Sequence, residues 1–307
     1  MKRKPLYAAA LATVLVGAAF TSDLAIGFSS GPLPGYTGAP GEFSGACTAC
    51  HNSYPLNSGS ANFTVSVPTN LTPSAAHPVS VGFSGSSNTR HGFQVTMQDS
   101  AGMFKGAWVV TMNNPTQTQT TSSSAAYHEH TFSGNSLNAW TMGWQAPASV
   151  APGPIKFYAA GNQANMDFSS SGDYIYTNVA TMWQASLSTP NASWPTGTSQ
   201  VLNLNAPGHA SELYVIAVSE IPGQTPLGGP FILEANIFTG LSDLAWSLPS
   251  VFANFVGTTS ATGTATATVN IPYYPPLAGF PLYFAAVTAD SMLNPSEVSN
   301  PRMITFQ

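Results

Sequence analysis

From residue 60 onward the chain alternates between apolar and polar positions. In 62–67, Phe63, Val65 and Val67 take every second place between Asn62, Thr64 and Ser66, and 77–83 repeats the habit with Val79, Val81 and Phe83. A period of two sets one face of a strand against a core and the other toward water. The stretches 92–97, 107–112, 155–160 and 174–182 follow the same pattern, each bounded by Gly, Asn, Pro or Ser clusters that read as turns. Further short strands are expected at 212–218, 231–235, 261–269 and 282–288, and no amphipathic helical run of any length separates them. Short strands with frequent turns and no intervening helices predict an all-β fold of two antiparallel sandwiches in tandem. The stretch 113–124, rich in Gln, Thr and Ser, reads as a polar loop.

Shifts in composition mark the boundaries. Lys2, Arg3 and Lys4 precede an apolar run from Leu6 to Phe20, with small residues following at Ala18, Ala19, Ala25 and Gly27. That is the layout of a secretory signal, cleaved between residues 19 and 27, and the apolar run is too short for a comfortable membrane span. Residues 186–199, where Pro190, Pro195 and Gly197 sit among Ser and Thr, read as a linker. The expected order is a signal peptide at 1–27, a Gly/Pro-rich segment at 28–58, a first sandwich at 59–185, the linker, and a second sandwich at 200–307. The chain ends at 302–307 with no hydrophobic tail, so an extracytoplasmic protein is expected, periplasmic, secreted or at the cell surface, with no membrane span after cleavage.

Charge narrows the partners. Charged residues are 6% of the chain against 43% hydrophobic, which excludes disorder driven by charge. Without Lys2, Arg3 and Lys4, the basic residues are Arg90, Lys105, Lys156 and Arg302, against up to twelve acidic ones. A sparsely charged, mildly acidic surface excludes nucleic acid and anionic membranes as partners.

The candidate chemistry lies in Cys47-Thr48-Ala49-Cys50-His51, which holds both cysteines of the chain. Two thiols separated by two residues and followed at once by histidine suit covalent attachment of haem c, with a thioether from each cysteine and His51 as an axial iron ligand. A redox-active CxxC, a disulfide and half of a zinc site are the competing readings. Zinc would need two further ligands with no second cysteine pair to supply them, and a thioredoxin-type motif should follow a buried strand, whereas 31–41 is loop sequence.

Phe28 to Glu42 leading into this motif, then Arg90-His91-Gly92-Phe93-Gln94, Glu129-His130-Thr131, Trp140 to Trp144 with Ala146-Pro147, and Phe157 to Asn162 with Gly172 to Tyr176, resemble bacterial Reeler-like domains, including those of the choice-of-anchor V group. The resemblance covers about residues 28–183. It implies a β-sandwich module of an exported protein that carries a CxxCH segment before its first strand. The block from Gly279 to the end resembles a short β-domain of secreted planctomycete-type proteins.

A sixth ligand is then required. In an extended strand His128 and His130 point to one face, an arrangement that also suits a small copper or zinc site, or a plain solvated strand face. His130 falls within the Glu-His-Thr match to the family and is the first choice; His91 stands where the family tends to show an aromatic residue and ranks lower. Met97, Met103 and Met112 could ligate as thioethers but suit a core, as do Trp140 and Trp144. Asp167 and Asp173 bracket a Ser-rich turn, where capping is commoner than calcium binding. No GxSxG, HExxH or Gly-rich phosphate loop suggests an enzyme. The expected protein is an exported mono-haem c-type cytochrome-like protein for electron transfer or redox sensing with an unidentified redox partner protein. The alternative is an extracytoplasmic binding or structural β-protein whose cysteine pair is only a local staple or metal site.

Overall fold

The computed structural model describes residues 29–42, 45–109, 116–120 and 126–307, with the backbone alone at 117–120 and 126. The signal segment 1–27 and Met112 lie outside these residues.

The N-terminal half is a sandwich of two antiparallel sheets. One contains β1 (Asn62–Ser66), β2 (Ala76–Ser84), β4 (Ala107–Val109) and β7 (Ala139–Gln145), in the order β1-β2-β7-β4. The other contains β3 (Arg90–Gln98), β5 (Thr116–Thr120), β6 (Ala126–His130), β8 (Ile155–Ala164) and β9 (Tyr174–Met182), in the order β5-β6-β3-β8-β9. Alternation decides which side chains meet: Val79, Val81, Phe83, Met142 and Trp144 from the first sheet close on Phe93, Val95, Met97 and Phe157 from the second. Trp144 and Phe157 meet edge to face at 5.3 Å, and the buried indoles find carbonyl partners, Trp140 at Gly134 and Trp144 at Lys105. The tryptophans are core residues, as their spacing predicts.

Thr116–Thr120 corrects part of the predicted polar loop. It is an edge strand paired antiparallel to β6. Edge strands do not need an apolar face, so its Thr/Gln sequence carries no alternation to read.

The outer face of the five-stranded sheet is also covered. Residues 29–42 and 45–61 run across it as an arm, pinned by side chains that a sandwich alone would leave in water. Gln94 accepts the Tyr36 N–H (3.0 Å) and donates to the Leu33 carbonyl (3.0 Å) and to Glu129 (3.0 Å), while Gln98 donates to Pro40 O (3.0 Å). Further along, Asn57 N–H bonds to Ile175 O, and Tyr54 stacks on Tyr174 at 4.2 Å. This double cover explains why β3 is buried from His91 to Met97 without a break.

The second half is another sandwich. One sheet has the order β10 (Ser186–Ser188), β12 (Ser199–Asn205), β18 (Thr264–Asn270), β16 (Phe252–Ala253). The facing sheet has the order β11 (Ser193–Trp194), β21 (Arg302–Phe306), β19 (Pro281–Ala289), β13 (Leu213–Ser219), β17 (Val256–Thr258), with β20 (Pro295–Val298) also on β19. A hairpin of β14 (Thr225–Gly228) and β15 (Phe231–Leu233) and one short helix, α1 (Leu241–Ser247), complete it. The stretch 186–199, expected as a linker, is built into this sandwich: it supplies β10 and β11, and Leu187 and Trp194 are fully buried in the core. Isolated apolar anchors among Pro, Ser and Thr leave no periodic signal, which is why composition misleads there. The helix escapes notice because seven residues hold too few turns for a period. Glu297, buried on β20, accepts the Gly153 N–H on both oxygens at 3.1 Å and so ties the two sandwiches together. Among the described residues no helix is long and apolar enough to cross a membrane.

Candidate functional site

The arm makes one helical turn, Ala46–Ala49, entered through Gly45 at φ 95° and closed by Cys50 N–H and His51 N–H, both donated to Cys47 O (3.2 and 3.0 Å). Helical spacing of i, i+3 and i+4 places Cys47, Cys50 and His51 on one side of that turn. The side they share faces a half-open cavity of about 290 Å³ between the arm and the five-stranded sheet, and all three residues line it. Cys50 is exposed and Cys47 half-buried, and neither is in a disulfide.

His51 is held from behind. Its Nδ1 lies 2.8 Å from Asp173 Oδ2 at the start of β9, and Asn162 Nδ2 donates to the same oxygen at 3.1 Å. With Nδ1 committed as the donor, Nε2 keeps its lone pair for the cavity. Asp167 and Asp173 bracket the Ser-rich turn and both cap it, Asp173 Oδ1 accepting the Asn165 N–H at 2.8 Å while its other oxygen meets His51. Asp167, fully exposed, accepts the Ser169 N–H and hydroxyl as a turn cap, and these bonds hold its carboxyl below the usual range. Among the described residues no three His, Cys, Asp or Glu side chains gather as a metal cluster.

His130 also lines the cavity, by a route that alternation does not give. Strand β6 pairs with β3 through Glu129–Gln94 and His128–Val95. One residue later the His130 ring takes the place of a backbone partner, with Nδ1 3.1 Å from Phe93 N and 3.2 Å from Phe93 O. Its Nε2 has no hydrogen-bond partner among the described residues. Burial lowers its pKa, against the Phe93 carbonyl, and so favours the neutral ring that a metal requires. The ring lies over Gly92, where a Cβ would come within 2.6 Å of its Cε1. A glycine inside a strand marks such a close approach. Gly92→Ala should push the ring aside and lower stability by about 1–3 kcal/mol, measured by denaturant unfolding beside wild type.

His128 does not join it. Its ring packs on Trp108 of the facing sheet at 5.2 Å, and its Nε2 bonds Thr116 Oγ1 at 2.6 Å. The expected shared face fails because β6 leaves β3 between the two residues. His91, ranked lower from sequence, does line the cavity, with Nε2 on Ser86 Oγ at 2.8 Å. Met97 lies in the core with its sulfur accepting Lys105 N–H, and Met103 is exposed; neither lines the cavity.

The thiol chemistry narrows the readings. Burial, with the charges of Cys50 and Glu42, pushes the Cys47 thiol up to about 12. A thiol held so high is a poor nucleophile near neutral pH, and Cys47 Sγ points to Tyr36 O (3.6 Å).

The donors suit haem c, and so does the wall. Pro32, Leu33 and Phe93 make it apolar, and the rim adds exposed Phe132, Met166 and Phe168, the last 97% accessible. Such a rim leaves apolar surface in water that a flat apolar group would cover. Arg90 also lines the cavity, its guanidinium donating to Asn135 Oδ1, and stands where an acidic substituent of that group could be met. Asp173, Asn162, Gly92 and Arg90 escaped the sequence reading of the site. Only Gly92 carried a signal, as glycine within an alternating strand.

No protein-family model matches the chain, and no curated protein does. Among solved structures it is similar to the reeler domain of human F-spondin, with 16% identity over 43% of this chain and 94% of that one, at a TM-score of 0.32. It is also similar to Salmonella alpha-2-macroglobulin reacted with methylamine, at 9% identity over 80% of this chain and 16% of that one, TM-score 0.25. Red sea bream transglutaminase shows 8% identity over 80% of this chain and 31% of that one, again at a TM-score of 0.25.

Proposed function

We propose that this is an exported mono-haem c-type protein of electron transfer or redox sensing, its haem tethered to Cys47 and Cys50 and ligated by His51 and His130, on a sandwich of the Reeler-like kind whose motifs the sequence carries. One observation carries the reading. Two histidines, one from the arm and one from the sheet, line the cavity that the thiols line, His51 with Nδ1 on Asp173 and His130 with Nδ1 against the Phe93 backbone. When bound, the group supplies one-electron iron chemistry, with paired histidines favouring a comparatively low potential.

The chain's own part is attachment and orientation. Each thiol would add its sulfur and its hydrogen across one vinyl group, so bond formation needs no oxidant. Asp173 holds the His51 imidazole with its proton on Nδ1, which leaves Nε2 for a ligand. The apolar rim, with exposed Leu33, Phe132, Met166 and Phe168, offers an open edge for electron exchange with a partner protein. The signal-like N-terminus supports delivery to a compartment where haem c is attached.

The protein made in a host that matures haem c should keep its haem through denaturing electrophoresis, and Cys47→Ser with Cys50→Ser should abolish it. Colourless wild-type protein from that host would overturn the reading.

A further inference from the structure

We propose that Asp173 is a positioning residue for His51, one that fixes which nitrogen the imidazole offers to the cavity and lowers the reduction potential of an iron held there. This rests on the haem reading above and goes beyond it to what sets the potential. Asp173 is 2% exposed and cannot swing away, because both oxygens are committed. Oδ1 accepts the Asn165 N–H at 2.8 Å, and Oδ2 meets His51 Nδ1 at 2.8 Å and Asn162 Nδ2 at 3.1 Å. Turn capping explains the Asn165 bond alone. It does not explain a second oxygen aimed 122 positions back along the chain at the histidine of the CxxCH motif.

The two histidines therefore differ in what stands behind them. His130 has a neutral backbone carbonyl; His51 has a buried carboxylate. A full negative charge on the far side of the ring pulls the Nδ1 proton toward it and raises electron density at Nε2. It also stabilises the more positive, oxidised state of a metal at Nε2 over the reduced one, which lowers the potential. Asn162 moderates this by donating to the same oxygen. Removing Asn162 and neutralising Asp173 should thus act in opposite directions, a pattern that loss of packing would not produce.

The test has two readouts. In haem-free protein carrying Cys47→Ser and Cys50→Ser, ¹⁵N NMR of His51 should show the Nδ1–H tautomer, and adding Asp173→Asn should shift it toward the other. In haem-bearing protein, Asp173→Asn should raise the reduced-to-oxidised ratio at fixed ambient potential about tenfold, about 59 mV for one electron, and Asp173→Glu should recover part of it. An unchanged tautomer with an unchanged ratio overturns the proposal while leaving the haem reading intact. If wild type takes no haem, the effect on potential falls with that reading, and the tautomer alone decides the positioning role. Should Asp173→Asn not fold, Asn162→Ala carries the test: the ratio should fall, and no movement overturns the proposal.

Discussion

Replacing His130 by alanine in the haem-bearing protein is expected to convert a low-spin spectrum into a high-spin or water-ligated one, with the haem still covalently held. The tether depends on Cys47 and Cys50 in the arm, whereas the second imidazole comes from the sheet, so the two can be lost separately. His128→Ala should leave the spectrum largely intact and instead lower stability by about 2–4 kcal/mol, because it empties a fully buried site against Trp108. Absorbance spectra and denaturant melts of the two variants read out both effects. A near-infrared methionine band in wild type would contradict this scheme and point to Met166 on the rim or to Met112, outside the described residues, since Met97 is locked in the core and Met103 lies out on the surface.

The second large effect is acid sensitivity from His128. Burial lowers its pKa from 6.5 to about 4. The unfolded chain therefore takes up a proton below pH 6.5 that the native ring refuses until about pH 4. The sign follows: this stability is fully present above pH 6.5, is lost as pH falls toward 4, and changes no further below that. The loss is about 3 kcal/mol for this group. His91 and His130 are depressed by burial too and add slopes of the same sign. Denaturant melts from pH 7 to 4, made on the Cys47→Ser, Cys50→Ser protein so that ligation plays no part, should show the decline, and His128→Leu should remove the His128 share. A wild-type curve parallel to that of His128→Leu would mean that His128 is protonated in the fold.

These histidines also show what a sequence can and cannot reveal. Period-two patterning found the sandwich strands because burial on one face writes itself into neighbouring residues, and CxxCH is legible because its chemistry is local. Gln94 and Glu129 look like a water-facing strand surface until the arm is laid over them; polar residues that pin a second layer read the same as polar residues in solvent. The His51–Asp173 contact spans 122 positions, most of the first domain, and leaves no trace in spacing. His130 was singled out by motif, but its position in the fold depends on where β6 leaves β3, and alternation assumes that strands stay paired. In the second half, Leu187 and Trp194 are lone anchors, and lone anchors have no period.

The arm's route has a further consequence for how such a protein matures. The thiols lie in a segment outside the sandwich strands, so thioether bonds can form on an extended chain newly delivered across a membrane. His130 comes within reach only when β3 and β6 are assembled and the arm is down. With the proposed haem in place, folding would act on the tethered iron by raising the effective concentration of one imidazole, and the free energy of that second ligation would become free energy of folding. An arm with few apolar anchors would be bolted to the sheet by its cargo, and a chain that failed to acquire the cargo would be marked by a loose arm open to proteolysis.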